Sequence, residues 1–435
     1  MRVVAYVSFQ PENLFFLGTI ASATSTEIVI EDTASGRKAV YQGSFSYFGG
    51  APSGTIEGLK LFSFDTLQAK FTEAAWDATD FFTNLMIAVT GGPVQPLIDL
   101  VTAADDLAIG SDFPDYFDGG AGDDTVKGNA GDDTLNGGPG HDIALGGTGH
   151  DRISGGGGND SLNGGEGDDL ILGERGDDVL IGGLGHDDLY GGGGRDTFFV
   201  DDEDRVISGG AGFDTLSLQH YGAGVTLTGS GGFLPYWEMR VWGTQQQISG
   251  IEKVLGSDYS DCLYVNGFAE RVKAGAGDDG VQGGAIEEVF FGGTGDDVLA
   301  GGAKGDRLFG GQGKDTLFGQ DGADSLFGGG GADLLIGGRG TDLLTGGRGA
   351  DVFAFNKGQG TDNEILDFED GQDRIRFGEV AYRYEDLNIV DDTDGALISA
   401  GNVSVLVRDV SATDLTAEDF LFGRVSDYVS FPECG

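Results

Sequence analysis

The sequence is poor in the residues from which small secreted frameworks, thiolate metal centres and nucleic-acid binders are built. Two of its 435 residues are cysteine, Cys262 and Cys434. A disulfide framework is thereby excluded, spacing argues for no single bridge, and free cysteines are expected. Basic side chains are scarce: 25 Lys and Arg stand against 72 Asp and Glu, a net charge of −47. Nucleic acid is excluded as a partner by that balance, and a cationic partner is implied. Four histidines occur, His141, His150, His186 and His220, and none belongs to an H-E-x-x-H pair. Zinc-protease chemistry is therefore absent, as is the G-x-S-x-G elbow of lipases. The first 109 residues hold no histidine and no cysteine, which removes most nucleophile–base arrangements. Glu57, Asp65, Glu73, Asp77 and Asp80 remain there as carboxylates, a set common to soluble domains. No apolar run approaches membrane-spanning length; Leu85 to Val89 is typical, so membrane insertion is not expected.

What the sequence has in abundance is glycine, 83 residues, arranged in a phrase. The phrase is G-G-x-G-x-D-x-(apolar)-x. Clean copies are G-G-A-G-D-D-T-V-K from Gly119, G-G-E-G-D-D-L-I-L from Gly164 and G-G-T-G-D-D-V-L-A from Gly292. Six glycine-rich residues permit a tight turn, and three more suit a short strand with its middle side chain inward. The expected inward column is Val126, Leu135, Ala144, Ile153, Leu162, Ile171, Leu180, Leu189 and Phe198. In a second array it is Val298, Leu308, Leu317, Leu326, Leu335, Leu344 and Phe353. One repeat buries almost nothing, whereas stacked repeats bury a continuous column. A disordered acidic linker has similar composition but keeps no apolar residue at every ninth position.

The sixth position carries the chemistry. Asp115, Asp124, Asp133, Asp142, Asp151, Asp160, Asp169, Asp178, Asp187 and Asp196 occupy it in ten successive units. Asp297, Asp306, Asp315, Asp324, Asp333, Asp342 and Asp351 occupy it in seven more, and Asp214, Asp261 and Asp279 extend the candidate metal set. If two units make one turn, aspartates two units apart stack at roughly 4.8 Å. Carboxylates that close repel by about 0.8 kcal/mol even in water, so the column needs cations. Carboxylate and carbonyl oxygens are hard ligands and select Ca²⁺, while magnesium keeps its waters and a strict octahedron. Pairing across two units gives about thirteen ions, which offset about half the charge. Arg205 stands at the sixth position of V-D-D-E-D-R-V-I-S, and Glu270 and Glu288 replace aspartate early in the second array. Weak or absent sites are expected at those three places.

These repeats resemble those of the RTX (repeats-in-toxin) family of secreted bacterial proteins, over about half the chain. The resemblance implies parallel β-rolls with calcium between turns, held by the sixth-position aspartates and turn carbonyls. It also implies an extracellular location, reached through type I secretion machinery that reads an uncleaved C-terminal segment. The start, M-R-V-V-A-Y-V-S-F-Q-P-E, reads as a β-strand and not as a secretory signal.

The expected fold class is all-β, with two parallel β-roll arrays flanked by other β domains. Residues 1–109 form an N-terminal β-rich module, with strands at Glu27–Ile30, Ala39–Tyr47 and Thr55–Phe64 and helical spacing from Asp77 to Val89. Its phrases Y-Q-G-S-F-S-Y-F and S-G-T-I-E-G-L resemble a segment that precedes many RTX arrays. The first array spans 110–217, a β-rich connector with Tyr236, Trp237 and Trp242 spans 218–255, and the second array spans 256–354. Residues 355–435 resemble the C-terminal domain that closes the roll in serralysin-type proteins, although a tail from Gly423 to Gly435 extends beyond it. The segment Asp414 to Phe422 reads as a short helix capped by Thr416, and Asp391 to Gly395 as a surface turn that only imitates an EF-hand. The functional expectation is a secreted, non-enzymatic calcium-binding protein of the matrix, cell surface or adhesion, with a surface polysaccharide as a partner. The alternative is a polysaccharide-acting enzyme with its chemistry in residues 1–109.

Overall fold

The computed structural model describes residues 105–423 except 202, 229–237, 240–246, 267–268, 357 and 382, together with the backbone of short strands within 1–104. Two compact units are present, residues 1–214 and 215–435.

In the first unit, each nonapeptide turns at its glycines and then runs as a strand of about six residues. Successive strands fall alternately into two parallel sheets. One contains Thr125–Ala130, Ile143–Thr148, Ser161–Glu166 and Val179–Leu184; the other contains Tyr116–Gly120, Thr134–Pro139, Arg152–Gly157, Leu170–Arg175 and Asp188–Gly194. Between these strands the register is eighteen residues, as in Val126↔Ala144 and Leu135↔Ile153. One coil is therefore two nonapeptides. Positive φ at the second glycine, +116° at Gly165, brings the backbone across the turn, where L side chains are strained. Asn129, Glu174 and Gln320 accept the same region in its place, at φ 78°, 76° and 77°.

The second unit repeats this plan. Arg271–Ala276, Val289–Thr294, Arg307–Gln312, Ser325–Gly330 and Leu343–Arg348 form one sheet, and Gly280–Gln282, Val298–Ala303, Thr316–Asp321, Leu334–Arg339 and Val352–Asn356 the other. Strands Asn388–Asp392, Gly395–Ala400 and Val403–Arg408 form an antiparallel meander, the last pairing in parallel with Asn363–Ile365. Phe420–Phe422 adds to Arg374–Gly378. The meander turns at Thr393 and Asp394, which makes the EF-hand imitation a hairpin turn. The segment at 414–422 contains a single 3₁₀ turn, Ala417–Asp419, with Thr416 and Asp419 in a reciprocal capping box.

The inward column is the core. Val126, Leu135, Ile153, Leu162, Leu180 and Phe198 in the first unit, and Leu308, Leu326, Leu344 and Phe353 in the second, are almost fully buried. Val298 is a correction. Leu299 takes the inward place and Val298 faces outward, because the apolar residue of that unit is its eighth and Val298 its seventh. A second correction concerns Leu85–Thr90, which is a strand paired in parallel with Val3–Ala5 and Leu107–Ile109 instead of the end of a helix. Residues 77–84 lie outside the described residues, as do Tyr236, Trp237 and Trp242. The antiparallel pairings Glu27–Asp32 with Arg37–Gln42 and Ser44–Tyr47 with Gly54–Glu57 agree with the strand reading of that region. Cys262 is buried and disulfide-bonded, against the expectation of a free thiol, and Cys434 lies outside the described residues.

Candidate metal centre

The sixth-position aspartates follow the turn and precede the strand, so the eighteen-residue register places them above one another in two rows per unit. Within a row, the backbone N–H of each donates to Oδ1 of the residue one coil further on. Asp106→Asp124→Asp142→Asp160→Asp178→Asp196→Asp214 is one such row, at 2.7–2.9 Å per step. Asp115→Asp133→Asp151→Asp169→Asp187 is the other. In the second unit the rows are Asp261→Asp279→Asp297→Asp315→Asp333→Asp351→Asp373 and Glu288→Asp306→Asp324→Asp342→Asn363. All of these side chains are at most 5% exposed. The predicted aspartates are therefore brought together as the repeat arithmetic requires.

Oδ1 is thus occupied and Oδ2 is not. Asp124, Asp133, Asp142, Asp151, Asp160, Asp169, Asp178, Asp187 and Asp196 each bury Oδ2 without a hydrogen-bond partner, and so do Asp279, Asp297, Asp306, Asp315, Asp324, Asp333, Asp342 and Asp351. A buried anionic oxygen with no donor is costly unless a cation faces it. The glycine that opens each repeat brings a second oxygen to the same place. A Cβ added to Gly119 would lie 2.6 Å from Asp124 Oδ2 and 2.5 Å from the Gly137 carbonyl oxygen. The missing side chain leaves room where a carboxylate and a turn carbonyl converge. Among the described residues no three His, Cys, Asp or Glu side chains gather at metal-holding spacing. The donor set here is instead carboxylate plus main-chain carbonyl, all oxygen, which suits calcium.

The electrostatics agree with an unmet demand for positive charge. Burial pushes the Asp124, Asp133, Asp160 and Asp169 carboxyls up to about 7, opposed by the row hydrogen bond and reinforced by the neighbouring row carboxylates. Asp297 and Asp324 rise to about 7 and Asp279 to about 8 for the same reasons.

Several residues depart from the sequence reading. Asp106, one unit before Asp115, opens a row; counting back nine residues would have found it. Arg205 does not stand in its row. The turn slips by one residue, Asp204 is buried instead, and Arg205 points outward to pair with Asp188 at 3.0 Å. Asp204 Oδ1 has no partner, and a Cβ on Gly182 would lie 2.5 Å from Asp187 Oδ2 and 2.7 Å from Asp204 Oδ1. Burial and the nearby Asp201 push the Asp204 carboxyl upward. Glu288 is buried in its row with Oε2 unpartnered, whereas Glu270 is exposed outside it. Asp261 differs in the other direction. Its Oδ1 accepts from Val225 N and Ser257 Oγ and its Oδ2 from Ser257 N, so both oxygens are occupied. Asp115 shares part of this arrangement, its Oδ2 accepting from Ser111 N and Oγ. The phrase G-S-D-(Phe or Tyr)-x-D, at Gly110 and again at Gly256, is the signal for both.

The fifth positions form a mirror-image ladder. There each side chain accepts from the backbone N–H one coil further on, as in Asp105←Asp123, Asp123←His141, His141 Nδ1←Asn159, Asn159←Asp177 and Asp177←Arg195. Asp132←His150, His150 Nδ1←Asp168 and Asp168←His186 run beside it. These residues are exposed, and they explain why three of the four histidines recur at one repeat position.

Comparison with known proteins gives the same sense. A family model described as the RTX calcium-binding nonapeptide repeat (four copies) matches residues 109–144, 136–171, 145–180, 164–198, 291–326, 318–353 and 327–362. Repeats of that family bind Ca²⁺ at multiple sites and are typical of secreted proteins. Twenty-eight chains of solved structures also match. One is the crystal structure of the extracellular lipase LipA from Serratia marcescens, at 18% identity and TM-score 0.16, covering 63% of this chain and 40% of that one. The chain thus spans less than half of that lipase's length. No curated protein sequence matches.

Proposed function

We infer from the RTX calcium-binding nonapeptide repeats that match residues 109–198 and 291–362 that the chain is a secreted, non-enzymatic protein of the cell surface or matrix, which folds on meeting calcium outside the cell. The observation that carries this reading is the set of buried, unpartnered Oδ2 atoms facing turn carbonyls. The residues proposed to hold the ions are the row aspartates, together with Asp204 and Glu288 and without Asp261. If a site binds at roughly 10⁻⁴ M, calcium at about 1 mM adds roughly 1.4 kcal/mol per site. A dozen such sites add on the order of 17 kcal/mol, larger than the whole stability of most domains. At submicromolar cytosolic calcium that term nearly vanishes. The chain would then stay open for a type I exporter that reads the C-terminal region, and the serralysin-like residues 355–423 would close the second roll once calcium is bound.

The test is calcium titration of the purified chain, followed by circular dichroism and calorimetry. A cooperative coil-to-β transition near millimolar calcium, with about a dozen ions bound, is expected. Full β structure in chelator would remove the export-coupled switch. Cleavage of a polysaccharide by the purified chain would overturn the non-enzymatic part.

A further inference from the structure

The outward face of one sheet in the second unit departs from the rest of this acidic protein. Where position eight points inward, positions seven and nine point outward. The register Lys253↔Arg271↔Val289↔Arg307 lines up one outward column, and Lys273↔Phe291↔Phe309↔Phe327 lines up its neighbour. Four of the chain's 25 basic residues therefore share a few adjacent strands. Arg271, Lys273 and Arg307 are exposed and Lys253 is half-buried. None of the four forms an ion pair among the described residues, although Glu252 and Glu270 precede two of them in sequence. Partial burial, with Lys273 and Arg271 alongside, holds the Lys253 ammonium below its usual range.

The phenylalanines add direction. Phe291, Phe309 and Phe327 stack face to face at 4.7–4.8 Å with interplanar angles of 5–7°, so the rim of the stack is made of ring edges. Ring edges carry the positive end of the aromatic quadrupole. Lys273 Nζ lies 5.9 Å from the Phe291 centroid and the Arg307 guanidinium 5.7 Å from that of Phe309, which places both cations next to the stack. The result is a strip of apolar edges flanked by positive charge.

We propose that this strip, Lys253, Arg271, Lys273 and Arg307 beside the Phe291–Phe309–Phe327 stack, binds an acidic polysaccharide through its carboxylates. Charge complementarity selects an anion, because these cations are unpaired on a molecule of net charge −47. The same net charge disfavours a densely charged partner. Duplex nucleic acid carries one charge per about 1.7 Å, whereas a uronate chain is sparser and offers C–H surface to the ring edges. The strip is distinct from the calcium rows, which lie at position six, but it is assembled only when the second unit is folded.

The test is isothermal titration of the calcium-loaded full chain with a galacturonate hexamer, a neutral galactose hexamer serving as control. Calcium bridging between two anions is the competing cause of binding, and variants separate the two. The double variant Arg271→Gln/Lys273→Gln should weaken hexamer binding at least tenfold, and Arg195→Gln, a cation of the first unit, should leave it unchanged. Circular dichroism in calcium verifies that each variant retains the roll; should the double variant unfold, Arg307→Gln alone is expected to lose threefold or more. Equal binding by the strip variants, equal binding of the neutral hexamer, or no hexamer binding by a fully folded chain would each overturn the proposal. So would binding confined to phosphatidylglycerol vesicles. Failure of the chain to fold with calcium would instead count against the calcium reading, and dichroism reports that separately.

Discussion

At the scale of one residue, a row aspartate performs two tasks through two oxygens. Oδ1 receives the backbone N–H from the preceding coil, and Oδ2 faces the space beside a turn carbonyl. Asn363 shows that an amide can perform the first task, since its Oδ1 accepts from Asp342 N at 2.9 Å. Asp169→Asn should therefore keep the ladder and lose the charge, and its effect should change sign with calcium. In chelator at pH 8 the variant relieves a buried charge flanked by Asp151 and Asp187 and should stabilise whatever roll persists, by on the order of 1 kcal/mol. In 1 mM calcium it should destabilise by a similar amount and bind at least one ion fewer, read by thermal melts and calorimetry. A matching pH dependence follows. Burial raises the folded carboxyls of Asp124, Asp133, Asp160 and Asp169 to about 7, above their unfolded value near 3.8. Between those values the folded state holds more protons, so this contribution is complete below about pH 4 and is lost as pH rises through 7. Chelated protein should gain β signal on acidification from pH 8 to pH 5. Calcium must displace those protons, so its midpoint should move to higher concentration over the same interval. A chelated chain that loses β structure on acidification would contradict the assignment.

At the scale of the element, the nonapeptide tolerates slips that keep a carboxylate in place. The unit from Val200 lacks the glycines, so its turn is not held to the common path, and Asp204 replaces the residue that counting selects. The two carboxylate oxygens beside Gly182 then take the place of the usual carboxylate and carbonyl. Asp204→Ala should remove calcium binding at the end of that row, costing roughly 1–2 kcal/mol in saturating calcium, whereas Arg205→Ala should cost about 0–1 kcal/mol, the worth of an exposed ion pair. Equal losses would show that the residue named by the phase, and not its neighbour, holds the metal. The rows from Asp115 to Asp196 and from Asp297 to Asp351 were legible because period nine fixes which residue follows the turn. Asp204 was not, since phase counting assumes a turn of constant length. Glu288 was legible by phase, but its fit was not: its extra methylene is absorbed where Oε1 accepts from Gly284 N at 2.8 Å. The fifth-position ladder was hidden for another reason. Asp, His, Asn and Ser satisfy it alike, so a shared acceptor role leaves no single residue type to read.

At the scale of the whole molecule, the second unit carries a covalent tie that composition did not announce. Cys262 lies at the start of a strand paired with Gly280–Gln282, buried and disulfide-bonded. Spacing could not reveal it, because a bridge depends on which surfaces the roll brings together and the repeat phase says nothing of residues outside the phrase. The tie and the metal act on different states of the chain. On the proposed reading calcium would stabilise the folded rolls through the rows, whereas a disulfide acts chiefly by restricting the unfolded chain, typically by about 2–4 kcal/mol. The two contributions should therefore add. Cys262→Ser should lower the melting temperature in saturating calcium while leaving the number of bound ions unchanged, because Asp261, the row residue next to it in sequence, has both oxygens occupied. Reduction of the unmodified chain should give the same shift and no further shift in the variant. A fall in ion count on reduction would mean that the bridge is needed to assemble the rows, and folding outside the cell would then require an oxidising environment as well as calcium.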